Sequence, residues 1–181
     1  NNNPMRTFPN INRIVNNIES NEEVLPSYSR DLNFRCTVRD NDLGGGAHNI
    51  TEAVSFQSTD SAGPFLVNYP NEEGLIIEGG SIEEITWDVA NTDNALVDCQ
   101  NVNILMSTDG GFTYPITLAC STPNDGVESL NIPDVATSQA RIRIEAADNI
   151  FFDISNNNFN VVAPSTAGFG LSACAQFQEV C

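Results

Sequence analysis

The chain contains no lysine. All seven basic residues are arginines, set against 24 acidic ones, and the formal net charge is −17 over 181 residues. Such a surface repels phosphate backbones and anionic membranes, which argues against nucleic-acid binding. Divalent cations such as Ca2+ are the small partners it would welcome. Acidity by itself also keeps a secreted protein soluble, so the charge names no site.

Long apolar runs are missing as well. Nothing approaches the ~18 residues that announce a membrane helix, so no membrane insertion is expected. No positively charged stretch followed by an apolar one opens the chain as a secretory leader would. The opening NNNPMRTFPN reads as mid-protein sequence, and a fragment or processed product is expected. The five cysteines fit that expectation, because an odd count leaves one to pair outside the chain.

Histidine is reduced to His48, which the sequence places in a glycine-rich loop. One histidine without a second at i+4 or a cysteine cluster cannot build a catalytic zinc site. There is no G-x-S-x-G nucleophile elbow, so a Ser-His-Asp triad would depend on that loop residue. His48 reads as a solvated loop position. The run GGGAH (residues 44–48) precedes neither a helix nor a lysine, so phosphate-loop and dinucleotide-loop patterns are missing too. The chain itself is not expected to be an enzyme.

What is present is abundant Asn with 12 Gly and 9 Pro, residues that favour turns over helix interiors. Period-2 alternation dominates, and an all-β fold is expected. In DLNFRCTVRD, Leu32, Phe34, Cys36 and Val38 share one face and Asn33, Arg35, Thr37 and Arg39 the other. A second strand is expected over 50–56. One short helix is predicted at INRIVNNI, where Ile11, Ile14, Val15 and Ile18 follow helical spacing.

After the linker-like STDSAGP (58–64), strands are predicted at 65–69, 82–89, 102–107, 112–119, 127–132, 140–147 and 159–162. Turn signals such as NTDN, DGG and STPNDG separate them. Seven short strands in about 100 residues is the arithmetic of an immunoglobulin- or fibronectin-type sandwich. Ile85, Trp87 and Val89 face one way, as do Ile142, Ile144 and Ala146, and Trp87 reads as the core anchor between two sheets. The division expected is a partial first module over 1–62, the sandwich over 63–163, and a linker with the first strand of a truncated module over 164–181.

STDGGFTY (107–114) reads S-x-D-x-G-x-T-aromatic. If Asp109, Gly110 and Gly111 form a hairpin turn, Cys99 and Cys120 stand across one ladder. Opposite positions in a non-hydrogen-bonded pair lie ~4.5 Å apart at Cα. A Cys99–Cys120 disulfide is therefore expected, closing a loop whose restriction would contribute ~3 kcal/mol and implying an oxidising compartment. Ser107, Asp109, Gly111 and Thr113 then organise the hairpin rather than a reaction. Cys36 reads as a buried free thiol on its strand. Cys174 and Cys181 either pair with each other or bridge elsewhere.

Carboxylates are many, but few are arranged for chemistry. Asp40, Asn41 and Asp42 end a strand and enter a glycine-rich loop, where oxygen ligands for Ca2+ can gather; Asx residues also make turns there unaided. Glu72–Glu73 and Glu83–Glu84 are adjacent pairs that sit in turns or point to opposite faces, poor general acid/base partners. NIT at Asn49 is a glycosylation acceptor by pattern alone.

A longer series carries a resemblance. RTFPNINRIVNN, LPSYSRDLNFRCTVRDND, GGGAHN, AGPFLVNYPN, ITWDVANTDN, VNILMSTDGGFTYPITLACSTPNDG and ARIRIEAADNIFFDISNNNFNV occur in this order over residues 5–163. The series resembles the non-catalytic region of reprolysin-like zinc metallopeptidases secreted by Bacteroidota. The resemblance implies a zinc protease domain upstream, then an immunoglobulin- or cadherin-like module, then the sandwich with the S-T-D-G-G hairpin. No residue here matches the family's H-E-x-x-H helix, so no zinc ligand carries over. The acidic D-x-D-G-D opening of the family's first module is also missing, which leaves residues 1–62 as its later half. S-x-D-x-G-x-T-Y is similar to the Asp-box of sialidase-type propellers, where it closes a hairpin away from the catalytic centre. One copy makes no propeller, whose repeats run ~40–50 residues.

The role these observations imply is an accessory region of a secreted or cell-surface protein that spaces, stabilises or docks a catalytic domain. Its partners would be the other domains of the parent and a protein or glycan substrate. Two other roles stand beside it. One is an adhesin-like or carbohydrate-binding module using Tyr69, Tyr114 or Phe151. The other is a subunit of a surface filament whose modules complete each other by strand donation.

Overall fold

The computed structural model describes residues 6–19, 21–40, 44 and 48–165. They are nearly all strand, and their contacts divide into two units. One is Leu25–Ser61. The other joins residues 6–24 to residues 62–165, so the helix-bearing segment clusters with the sandwich that lies beyond the intervening ribbon.

The helix α1 spans only Ile11–Val15. Asn10 caps its start, its side chain accepting from the Asn12 amide at 3.0 Å. It stops because Asn17 takes a left-handed conformation at φ 52°. The amides of Asn17 and Ile18 then return to the carbonyls of Ile14 and Arg13 at 3.1 and 2.9 Å, the paired bonds of a Schellman ending. Ile18, expected on the helix, lies past this stop.

The Leu25–Ser61 unit is a two-stranded ribbon. Strand β1 (Arg30–Phe34) pairs antiparallel with β4 (Val54–Ser58), and β2 (Thr37–Arg39) with β3 (His48–Ile50). Between the two ladders Arg35 and Cys36 oppose Thr51, Glu52 and Ala53, one residue more on the return strand, which is a bulge. The Thr51 amide still bonds the Cys36 carbonyl at 3.0 Å across it. The alternation survives on β1 and β4: Phe34 and Phe56 stack at 5.1 Å, while Asn33 accepts from the Ser55 hydroxyl at 2.6 Å on the opposite face. None of the ribbon's described residues is buried.

Three expectations are corrected in this unit. Cys36 is exposed in the bulge, not inward on a continuous strand. His48 opens β3 rather than sitting in a loop. The strand expected over 50–56 is broken at 51–53, since the bulge needs its extra residue there. Asn41 and Asp42 lie outside the described residues.

The sandwich unit carries β5 (Leu66–Tyr69), β6 (Ile76–Glu78), β7 (Ile82–Asp88), β8 (Asn101–Ser107), β9 (Ile116–Pro123), β10 (Val127–Asn131), β11 (Thr137–Ala146), β12 (Phe152–Ile154) and β13 (Phe159–Val162). One sheet has the order β10-β7-β5, the other β6-β13-β11-β8-β9 with β12 also on β11. All neighbours are antiparallel except β13 and β6. The inward residues of both sheets form one core: Val67, Ile85 and Trp87 from the first, Val102, Ile104, Met106, Ile142, Ile144 and Phe159 from the second. Trp87 donates its indole N–H to Asn124 Oδ1 at 2.8 Å, and the Asn124 amide donates to Thr92 Oγ1 and the Cys99 carbonyl, each at 3.0 Å. That satisfies every polar atom a buried Trp–Asn pair brings in.

The expected Cys99–Cys120 disulfide is overturned by register. Val102 faces Thr122 and Ile104 faces Ala119, so Cys120 and Ser121 both oppose Asn103 in a bulge. Cys99 precedes β8 altogether, a buried free thiol whose Sγ lies 3.3 Å from the Asn101 carbonyl oxygen. The turn is also longer than three residues. Phe112–Tyr114, expected on β9, stays in the loop because Asp109 captures its amides, and this slides β9 along β8. Cys174 and Cys181, with the expected module start, lie outside the described residues.

Candidate functional site

The loop from β8 to β9 is organised by two side chains. Ser107, fully buried, donates to Asp109 Oδ1 at 2.7 Å and accepts the Gly111 amide at 2.9 Å. Asp109 Oδ1 accepts the amides of Phe112 and Thr113 at 3.0 and 2.9 Å, and Oδ2 accepts the Thr113 hydroxyl at 2.6 Å. Burial pushes the Asp109 carboxyl up, but the bonds from Thr113, Ser107 and Phe112 outweigh it and hold it below the usual carboxylate range. The loop is tied to β11 by the Gly110 amide on the Gln139 carbonyl at 2.9 Å and by Thr137 Oγ1 donating to the Thr108 carbonyl at 3.2 Å.

Gly111, at φ 94°, lets the loop approach two other elements. A β-carbon there would lie 2.9 Å from Val15 Cγ1 and 3.2 Å from Arg141 Cδ. Val15, 3 % exposed, is the one buried residue of α1. The turn is thus a seat for the segment 6–24, which is also held by Asn17 Nδ2 donating to the Asn156 carbonyl at 3.0 Å.

Beneath this seat lies a row of charged groups. Arg141, 7 % exposed, donates to Asn158 Oδ1 at 2.6 Å and to the Ser155 carbonyl at 3.2 Å. Burial lowers its pKa, with the nearby Tyr114 acting the other way. Arg143 stacks over the Phe152 ring at 4.0 Å and lies 5.6 Å from that of Tyr114, with its Nη2 on Glu145 at 2.7 Å. The Tyr114 hydroxyl is buried without a hydrogen-bond partner among the described residues, and burial raises its pKa against the pull of the two arginines.

Asp153 on β12 crosses between the sheets, Oδ2 accepting the Val67 amide of β5 at 2.7 Å. The Asn71 side chain donates to the Val67 carbonyl at 3.1 Å, so both outward groups of this edge residue are satisfied. Burial pushes the Asp153 carboxyl up, and the bonds from the Val67 and Ile154 amides only partly offset it. The carboxylate makes no ion pair among the described residues. It lines a cavity of about 300 Å3 between the α1 segment and β12, together with Ile14, Ile18 and Ile154 and the rim residues Arg13 and Glu19.

Of the residues singled out in the sequence, Ser107, Asp109, Gly111 and Thr113 meet in the loop. Asp40 belongs to the ribbon unit. Tyr69 is on β5, where its hydroxyl donates to Glu83 at 2.9 Å and its pKa is pushed up to about 12 by burial and by Glu83. Tyr114 and Phe151 are half-buried, Phe151 against Phe65 at 5.1 Å. Among the described residues no three of His, Cys, Asp and Glu gather as a metal site. Arg141 and Asp153 were not foreseen: alternation puts Arg141 on an outer face, where it packs against the Gly111 turn and bonds Ser155 and Asn158. The one available signal was a lone acid inside the apolar FFDI. Neither a protein-family model nor a curated protein matches the chain.

Proposed function

We propose that the chain is a non-catalytic accessory region of a secreted or cell-surface multidomain protein, with an immunoglobulin- or fibronectin-type sandwich as its main module. The parent in this reading is a reprolysin-like zinc metallopeptidase. The observation that supports it is Val15 seated on Gly111, with Asn17 bonded to Asn156. A module that grips the chain leading into it serves as a stabiliser and spacer for what precedes. Its partners are the parent's other domains and the protein or glycan substrate they share. On this reading the purified chain leaves gelatin intact. Chelator-sensitive cleavage that survives repurification would sink it.

Ca2+ at Asp40, Asn41 and Asp42 belongs to the same reading. Calorimetric titration should give a Ca2+ isotherm that Asp40→Asn weakens; a flat trace removes the site.

A second reading, a subunit of a surface assembly or an adhesin-like, carbohydrate-binding module, draws support from the ribbon. It buries no described residue and exposes Val38, Ile50 and Val54, and a two-stranded ribbon is marginal alone. Concentration-dependent association in ultracentrifugation, or hits on a glycan array, would favour it. A monomer silent on the array returns the spacer.

A further inference from the structure

The cavity between α1 and β12 combines three properties that the accessory role does not use. Its walls are aliphatic, from Ile14, Ile18 and Ile154. It holds a half-buried carboxylate, Asp153, that pairs with no cation among the described residues. Its volume, about 300 Å3 with a wide opening to solvent, is at the small end of ligand pockets, which run ~300–1,000 Å3. A desolvated carboxylate without a counter-ion is costly, and the cost is relieved by a partner cation rather than by water alone.

The arginine in the cavity lining is otherwise engaged. Arg13, on the rim, has Nη1 3.4 Å from the Glu19 carbonyl and Nη2 3.7 Å from Glu22. Glu19 is the second acid at the rim. Between basic groups, the small volume favours the slimmer one. One oxygen of Asp153 accepts the Val67 amide, and the carboxylate keeps lone pairs for a charged donor. A compact ammonium needs only one oxygen and brings a flexible four-carbon stem suited to an aliphatic wall. This chain, with no lysine and a net charge of −17, cannot supply that group and attracts molecules that can.

We propose that this cavity receives a lysyl side chain of a partner polypeptide, its ammonium on Asp153 and its methylenes along Ile14, Ile18 and Ile154. The site stands on the chain's own residues and does not rest on the accessory-module reading.

The test is a methyl NMR titration of the full chain with four probes: Nα-acetyl-lysine methylamide, its norleucine counterpart, n-butylamine and a lysine-bearing peptide. The lysine derivative and the peptide should shift the Ile14, Ile18 and Ile154 methyls, and the norleucine compound should not. Asp153→Asn keeps an oxygen for the Val67 amide and should weaken binding by about tenfold or more. Ile18→Ser, at a position 55 % exposed and so harmless to folding, should weaken it too. Emission from Trp87 reports whether each variant is folded. Equal shifts with norleucine, unchanged binding in folded Asp153→Asn, or no shifts with any probe overturn the proposal. Binding of butylamine without the peptide overturns it as well, by reducing the site to one for free amines.

Discussion

Val15 and Gly111 are in contact across 96 positions of chain, with room for no β-carbon between them: one built on Gly111 would lie 2.9 Å from Val15 Cγ1. The hairpin turn and the helix of segment 6–24 are therefore one packing unit. Gly111→Ala has both a clash and a positive φ of 94° against it, and should cost about 1–3 kcal/mol. Val15→Ala should loosen the segment while sparing the sandwich. Because trypsin can cut this chain only after arginine, cleavage after Arg13 reads the release directly. Wild-type protection that persists in both variants would refute the contact's importance.

Asp109 gathers the loop through its bonds to Phe112, Thr113 and Ser107. Asp109→Ala should lower unfolding free energy by about 1–3 kcal/mol. Its folded-state pKa is depressed, so its stabilisation is present above the unfolded value of ~3.9 and is lost as pH falls through the folded value. Urea titrations from neutral to acid pH should show that loss in the wild type and a flatter course in Asp109→Asn.

Asp153 has the opposite sign. Burial raises its folded-state pKa, so the fold binds its proton more tightly than the unfolded chain does. The stability it contributes is complete below ~3.9 and is lost as pH rises through the folded value. Asp153→Asn should therefore melt higher than wild type at pH 7, with the gap closing toward pH 4. A gap that widens on acidification would contradict the assignment.

Cys99 is sealed in the core beside Ala147 and Asp148, and burial, with Asp148 adding to it, raises its thiol pKa. Iodoacetamide should label Cys36 in the native protein and Cys99 only in denaturant. A Cys99–Cys120 cross-linked peptide in a non-reducing digest would restore the pairing that the register rejects.

Asn124 joins Trp87 to Thr92 and Cys99 inside the sandwich. Asn124→Ala strands the indole N–H and should cost about 2–4 kcal/mol. Trp87 is the only tryptophan, so its emission follows the change; a midpoint in urea within error of wild type would dismiss it.

The sequence by itself determined which residues alternate, and hence the all-β class and the inward set of Ile85, Trp87, Ile142 and Ile144, because a strand's side-chain period is local. It also marked where turns fall, since Asn, Gly and Asp choose those conformations from their own stereochemistry. Register lay beyond it. Asp109's hold on Phe112 and Thr113, with the bulge at Cys120 and Ser121, moved β9 along β8 and separated two cysteines that counting had placed face to face. Strands β6 and β12, three residues each, are too short to show a period and exist because β13 and β11 offer them edges. The burial of Arg141, the bridging carboxylate of Asp153 and the seat of Val15 on Gly111 were likewise decided only by tertiary structure. Each joins residues far apart in the chain, and no local pattern records which distant surface will cover them.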